Sequence, residues 1–386
     1  MLEGQSIVCF ANDWSADPTS KTHIMRILAR HNRVLWVDSI GMRRPAATAY
    51  DARRIGKKLR RVFRGCRPVE PGLFVGSPLA LPFPGNAAAD RVNARMLSTW
   101  LRWQCRRLGL TKPILWSFTP NVSGLVGRVG ERMVVYHCVD DYAEFAGVSR
   151  ESIRRLEADL VRRSDVVITS SERLRDERLP LNPRTHFVTH GVDVEHFGRA
   201  LDPATPIPEE LRHLPRPIVG FFGLMAEWVD VGLIRAMADR HPDWSIVLLG
   251  RVATDVSSLA GRPNVRFLGR KPYAALPAYC RGFDAGIVPF RMSDLTVRAN
   301  PLKLREYLAA GLPVASTPLP EVLRYDALVE TGATDHEFIA AVERALARRS
   351  PAAVRERVDA MRAESWEARV EEIAELLSGP LARAVA

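Results

Sequence analysis

The sequence predicts an α/β protein made of two Rossmann-like, doubly wound domains facing a cleft. Three observations carry that expectation. Short apolar runs alternate with helical patterns along the first half. A proline-rich stretch of weak periodicity, residues 196–216, then interrupts the alternation, and the pattern restarts at "PIVGFFG" (217–223). A chain of 386 residues at 47% hydrophobic content is long enough for two such domains.

In chain order, "SIVCFA" (6–11) reads as a strand, "KTHIMRILARH" (21–31) as a helix and "RVLWVD" (33–38) as a strand. "LFVGS" (73–77) follows, then the loop "PLALPFPG" (78–85) and a long helix over 87–108. Strands "PILWSF" (113–118) and "RMVVYHCV" (132–139), a helix at 149–162, strand "SDVVITS" (164–170) and the run "RTHFVTHGVD" (184–193) close the first domain. The second domain reads as strand 217–223, a helix near 229–240, and strands at 244–250, 265–269, 284–290 and 312–317. A last amphipathic helix, "SWEARVEEIAELLSGPLA", ends the chain. The expected organisation is a domain over 1–195, a linker over 196–216, a domain over 217–365, and a C-terminal helix over 366–386 that packs back toward the first domain.

Composition narrows the function classes. No run of eighteen apolar residues is long enough to span a membrane, and the N-terminal "MLEGQSIVCFANDWS" lacks the features of a secretory leader. Five scattered cysteines without a C-x-x-C pair suit reduced thiols in a cytoplasmic protein. The formal charge of +11 is concentrated: residues 52–67, "ARRIGKKLRRVFRGCR", hold eight of the 55 basic residues and no acid. Ile55, Leu59, Val62 and Phe63 recur there at helical spacing. Arg53, Arg54, Lys57, Lys58, Arg60, Arg61 and Arg64 would therefore flank an apolar stripe suited to an anionic membrane surface, the alternative being a solvated charged loop. No nucleic-acid motif accompanies the basic residues. Neither a P-loop nor a G-x-G-x-x-G after a strand occurs, which argues against a nicotinamide enzyme.

Two stretches carry candidate chemistry. In "NPLKLREYLAAGLPVAST" (300–317), Pro301 suits a first helical turn, and Leu302, Tyr307 and Leu308 supply a buried stripe. Lys303 and Glu306 lie one turn apart, either as an exposed intrahelical pair or as a grip on an anionic ligand. A cation in a first helical turn opposes the helix dipole, so a bound anion would account for it. In "VVYHCVDDY" (134–142), His137, Asp140 and Asp141 follow an apolar strand, where they can serve as an acid–base site or as a helix cap with a surface acid.

Together with "GFFGLMAEWVDVGLI" (220–234), "SDVVITSSERL" (164–174) and "THGVDVEHF" (189–197), the 300–317 segment resembles GT-B glycosyltransferases. The resemblance is nearest to the family-4-like bacterial enzymes of exopolysaccharide and teichuronic-acid assembly, and it spans both domains in order. It implies a nucleotide-sugar donor, UDP-linked, held by Gly223, Leu224, Met225, Arg270, Asn300, Pro301, Leu302, Lys303 and Glu306. Lys303 would neutralise the diphosphate and Glu306 would take the ribose hydroxyls. Asp140 resembles the base of the inverting glucuronosyltransferase of xanthan assembly, with His23 and Asp141 on the acceptor side. His190 has no assigned role. Two positions depart from the family pattern: Arg298 stands eight residues before Glu306, where many members have a second glutamate, and "GLMAEW" (223–228) lacks the usual basic residue.

The resemblance thus implies a hexosyl- or glucuronosyltransferase that needs no metal or other cofactor. A lipid-linked saccharide would be its acceptor and the inner face of the cell membrane its peripheral location, without nucleic acid as a partner. The rival readings are a nucleotide-sugar 2-epimerase on the same fold and a non-catalytic nucleotide-sugar-binding scaffold at the membrane.

Overall fold

The computed structural model describes residues 2–41, 56, 62, 65–81, 83, 86–145 and 147–385. It divides into two compact units, Met1–Thr189 with Arg369–Ala386, and His190–Ala368. The division falls inside the last helix, Trp366–Val385.

The first unit is built on an eight-stranded sheet of order β3-β4-β2-β1-β5-β6-β7-β8. Its strands are β1 (Ser6–Phe10), β2 (Arg33–Val37), β3 (Arg67–Glu70), β4 (Leu73–Gly76), β5 (Ile114–Ser117), β6 (Met133–Cys138), β7 (Val166–Thr169) and β8 (Thr185–Phe187). All neighbours run parallel except the edge pair β3–β4. β1 and β6 are buried along their whole length, as expected for strands covered on both faces. β3 was not visible in the sequence: "RPVE" has no apolar run, and it pairs only along one side.

The second unit carries a six-stranded parallel sheet of order β11-β10-β9-β12-β13-β14. Here the strands are β9 (Ile218–Phe222), β10 (Ser245–Leu249), β11 (Val265–Gly269), β12 (Ala285–Val288), β13 (Val314–Ser316) and β14 (Val329–Thr331). Residues 196–216, read from the sequence as a linker, fold into this unit. The short helices Val194–Gly198 and Glu209–Arg212 place Phe197 and Leu211 in the same apolar core as Ile218 and Phe221. The prolines there break periodicity without removing the apolar residues that pack.

In each sheet the chain winds outward in both directions from its first strand, and the strand order reverses beside it: between β1 and β5, and between β9 and β12. Residues just past the C-terminal ends of these strands line a crevice that side chains from following helices can reach. The Lys303 segment lies at such a point, between β9 and β12, and Asp140 lies past the C-terminal end of β6, the next strand beyond β5.

Candidate functional site

In the second unit the crevice is opened by two glycines. Gly223, with φ +133°, follows β9, and its N–H donates to the Leu249 carbonyl at 2.9 Å. Gly250, with φ +140°, follows β10, and any Cβ on it would collide with the Gly223 carbonyl oxygen. Both backbones are in a region that side chains strain. The missing side chain at Gly223 leaves room for Lys303, whose Cε lies 3.2 Å from where a Cβ would stand. The Lys303 Nζ sits 4.6 Å from the ring centre of Phe290, just past β12, and 5.4 Å from that of Phe221 on β9. The amine is thus fixed across the switch point by two aromatic faces.

The helix that presents it, Leu302–Ala309, starts at Pro301 with no capping side chain and no acid in its first turn. Pro301 is therefore the cap residue instead of the first helical one. The helix is clamped from behind. Tyr307 packs its ring over Gly286 of β12, and its hydroxyl accepts the Phe222 N–H at 3.0 Å. Arg305 is fully buried and donates to Asn300 Oδ1 at 2.6 Å, the Tyr325 hydroxyl at 2.6 Å and Glu364 Oε2 at 2.8 Å. Leu304 and Leu308 complete the buried face, whereas Leu302, read as part of the stripe, is half-buried.

Neither Lys303 nor Glu306 makes a hydrogen bond or ion pair among the described residues, so the reading of an exposed intrahelical pair does not hold. Both are half-buried by surface area, with their charged ends among dense protein atoms. Burial lowers the Lys303 ammonium to about 8, with Glu306 opposing that shift. Burial likewise raises Glu306 to about 7, with Lys303 lowering it and Asp193 raising it further. Desolvation exceeds attraction for both groups. A lysine so placed gains from any anion that comes to it.

The other residues assigned to this site divide. Leu224 is half-buried beside Gly223, and Arg270 is exposed directly after β11. Met225 is buried, and its backbone bridges to Arg251 and Ala253, so its side chain belongs to the core. Asn300 is occupied by Arg305 and by Glu321 at 3.4 Å, which makes it a brace for the helix start. Arg298 bonds to Asp294.

The first unit gathers its candidates past β6. His137 is buried, 4.9 Å from the Phe118 ring and 6.2 Å from Trp116. Burial and then the nearby Lys21 charge push its pKa down to about 3, so it is neutral near pH 7. Asp141 is buried; it accepts the Ala143 N–H at 3.2 Å and pairs with Arg154 at 3.4 Å. It caps the turn, one of the two roles the sequence left open. Asp140, half-buried, makes no side-chain hydrogen bond among the described residues. Burial raises its carboxyl to about 6, against the attraction of Lys21, with Asp141 adding to the rise. His23 is half-buried on the Ser20–Ala29 helix, and His190 is buried in the second unit.

Lys21 was not singled out in the sequence. It stands in the first turn of the Ser20–Ala29 helix, its Nζ donating to the Tyr142 hydroxyl at 3.0 Å. That contact spans 121 positions, and no local pattern announces it. Beneath the loop, Arg178 and Glu157 form a buried ion pair at 3.0 Å, and the Tyr136 hydroxyl donates to the same Glu157 at 2.7 Å. The strand end before Asp140 is therefore held from below.

The seven basic residues assigned to a membrane surface lie outside the described residues. Among the described residues, no helix is long and apolar enough to cross a membrane, and no group of three or more potential ligands is placed to hold a metal ion.

Comparison with known proteins places this architecture. A family model described as "Glycosyl transferases group 1" matches residues 216–348, the stretch that contains Gly223, Lys303 and Glu306. A protein of Bacillus subtilis (strain 168) described as a teichuronic acid biosynthesis glycosyltransferase, TuaH, is 30% identical over 273 residues, covering 65% of this chain and 68% of that protein. This chain belongs to the group 1 glycosyltransferases. Its fold is that of the GT-B members. The sucrose-phosphate synthase of Thermosynechococcus elongatus superposes with a TM-score of 0.67 at 15% identity, over 98% of this chain and 100% of that one. HepE of Anabaena, solved with UDP-glucose, gives 0.68 at 13% identity over 97% and 100%.

In this glycosyltransferase, Lys21 is expected to hold the Asp140 carboxyl down. Replacing Lys21 with Met should raise the Asp140 pKa by about one unit or more, read by carbon-detected NMR titration of labelled aspartate. An unchanged titration would remove Lys21 from the site.

Proposed function

We propose that this glycosyltransferase moves a sugar from a UDP-sugar to a lipid-linked saccharide in cell-surface polysaccharide assembly. The observation that carries the reading is the Lys303 ammonium, half-buried without a carboxylate partner beside a backbone that has no Cβ at Gly223. A diphosphate is the ligand such a place suits: Lys303 would meet one charge, and the uncapped start of the Leu302–Ala309 helix another. Glu306, one turn after Lys303 on the same helix, would accept the ribose hydroxyls. Gly223 and Leu224 would let the donor approach the backbone, and Arg270 would add positive charge at its rim. These cationic features supply what a divalent ion would otherwise supply, so neither metal nor another cofactor is part of the proposal. The choice of UDP is supported by HepE, solved with UDP-glucose, and by an Escherichia coli neighbour (TM-score 0.66) solved with UDP-2-fluoro glucose. The polysaccharide setting is supported by TuaH.

Asp140 is the proposed base. The acceptor oxygen bonds to the anomeric carbon as the bond from that carbon to the diphosphate breaks. The hydroxyl proton passes to the Asp140 carboxylate, and the bonding pair leaves on UDP. A carboxyl held near 6 is ionised at neutral pH yet still basic enough for this transfer. The basic stretch 52–67 would keep the enzyme at the anionic inner face of the membrane, where lipid-linked acceptors are found.

Calorimetric titration is expected to give selective UDP binding over GDP and dTDP, weakened about tenfold or more (about 1.4 kcal/mol) in Lys303→Ala. Equal affinity in the two proteins would remove the central assignment. Asp140→Asn should lower the transfer rate by about 10²–10⁴-fold while UDP binding stays intact. In the unmodified enzyme the rate should fall as pH drops through about 6, where Asp140 takes up its proton. Full transfer by Asp140→Asn would end its role as base.

A further inference from the structure

Exposed large apolar side chains are unevenly spread. Among the described residues, half of those named as exposed fall within one span of 25 positions: Leu79, Leu81, Phe83, Val92, Met96 and Trp103. The last three belong to the Ala87–Arg107 helix, which has two distinct faces. Ala94, Leu97, Leu101 and Cys105 recur at helical spacing and are buried against the first unit's core. On the opposite side Val92 (43% exposed), Met96 (41%) and Trp103 (55%) fall in one narrow stripe, spaced four and seven apart. Arg95, Arg102, Arg106 and Arg107 border it, all exposed, and after Asp90 the helix holds no acid. The Arg107 guanidinium lies 5.5 Å over the Trp103 ring.

From this face we infer a second, folded membrane contact: the exposed side of the Ala87–Arg107 helix, with the exposed Leu79, Leu81 and Phe83 that precede it, docks on an anionic lipid surface. The inference deepens the membrane part of the proposed function and rests on it. The chemistry fits that occupant on three counts. A tryptophan ring and a methionine can enter the acyl boundary, arginines can reach outward to lipid phosphates, and the lack of acids in the helix after Asp90 leaves no carboxylate there to repel anionic headgroups. Apolar groups so concentrated on one exposed face mark a docking surface instead of ordinary scatter.

The test is flotation of the full chain with vesicles of phosphatidylcholine alone or with 30% phosphatidylglycerol. Three variants are compared with the unmodified chain: Met96→Ser with Trp103→Ser, Arg95→Gln with Arg102→Gln and Arg106→Gln, and glutamine at the seven basic positions of 53–64. Cooperative thermal unfolding followed by circular dichroism, measured in each, reports on folding. The expected result is binding to the phosphatidylglycerol vesicles only, weakened about tenfold by either change on the helix, with a shift of tryptophan emission to shorter wavelength on binding that the variant carrying Trp103→Ser lacks. If the helix variants bind like the unmodified chain while the 53–64 variant does not, the helix assignment is overturned and the membrane reading survives. If the unmodified chain binds neither vesicle, both fall. If the apolar variant alters only self-association of the chain in solution, the face is an interface between copies and the lipid assignment is overturned.

Discussion

An amine that has lost part of its solvent without gaining a carboxylate is the constraint around which the second unit is arranged. Lys303 is held at the switch point between β9 and β12 by the rings of Phe221 and Phe290 and by the empty space at Gly223. Among the described residues no carboxylate pairs with it at contact distance, and its neighbour Glu306 is itself shifted toward its neutral form by burial. Such a charge is costly to maintain, so the surroundings must be stiff enough to keep it from turning toward water. The stiffness comes from the opposite face of the same short helix. Tyr307 ties it to β9, and Arg305 ties it to Asn300, Tyr325 and Glu364. One eight-residue helix thus carries hydrogen-bonded polar groups on its inward face and the two unpaired charged groups, Lys303 and Glu306, on the other.

The first unit follows the same plan with the signs exchanged. Asp140 is a carboxylate without a side-chain hydrogen bond among the described residues and raised toward neutral pH, and its neighbours carry the structural work. Asp141 caps the turn, while Glu157, Arg178 and Tyr136 brace the strand end. Lys21, from the helix after β1, sets how far the rise goes. Poised groups stand at the C-terminal ends of parallel strands in both units, where side chains can be presented from a backbone whose own hydrogen bonds are already satisfied.

Much of this was legible in the sequence, for a reason the strands make plain. A parallel sheet covered on both faces writes itself as apolar runs such as "SIVCF" and "SIVLL", and these appear almost residue for residue as β1 and β10. The edge strand "RPVE" carries no such signature, and the prolines of 196–216 hid the packing of Phe197 and Leu211. At the proposed sites, Lys303 and Glu306 stand out in the sequence because a cation in a first helical turn is a local feature, and Gly223 is marked by the family resemblance. The resemblance assigns Asn300 and Met225 to the donor, and in the structure their side chains are engaged in the fold: Asn300 with Arg305 and Glu321, Met225 in the core. The buried arginines at 305 and 178 and the lysine at 21 went unseen, since a charged side chain reads as surface until its distant partners are known.

The most direct test is to measure the pKa of Lys303 itself, by nitrogen-detected NMR of the lysine amines with Lys303→Arg to assign the signal. The account expects a value near 8 in the free protein and a clear rise when UDP is added, because a diphosphate at the amine favours its charged form. An ordinary lysine value in the free protein would show an amine in water, not one set apart. A value near 8 that UDP leaves unmoved would show that the nucleotide binds elsewhere or not at all, and either result would contradict the account.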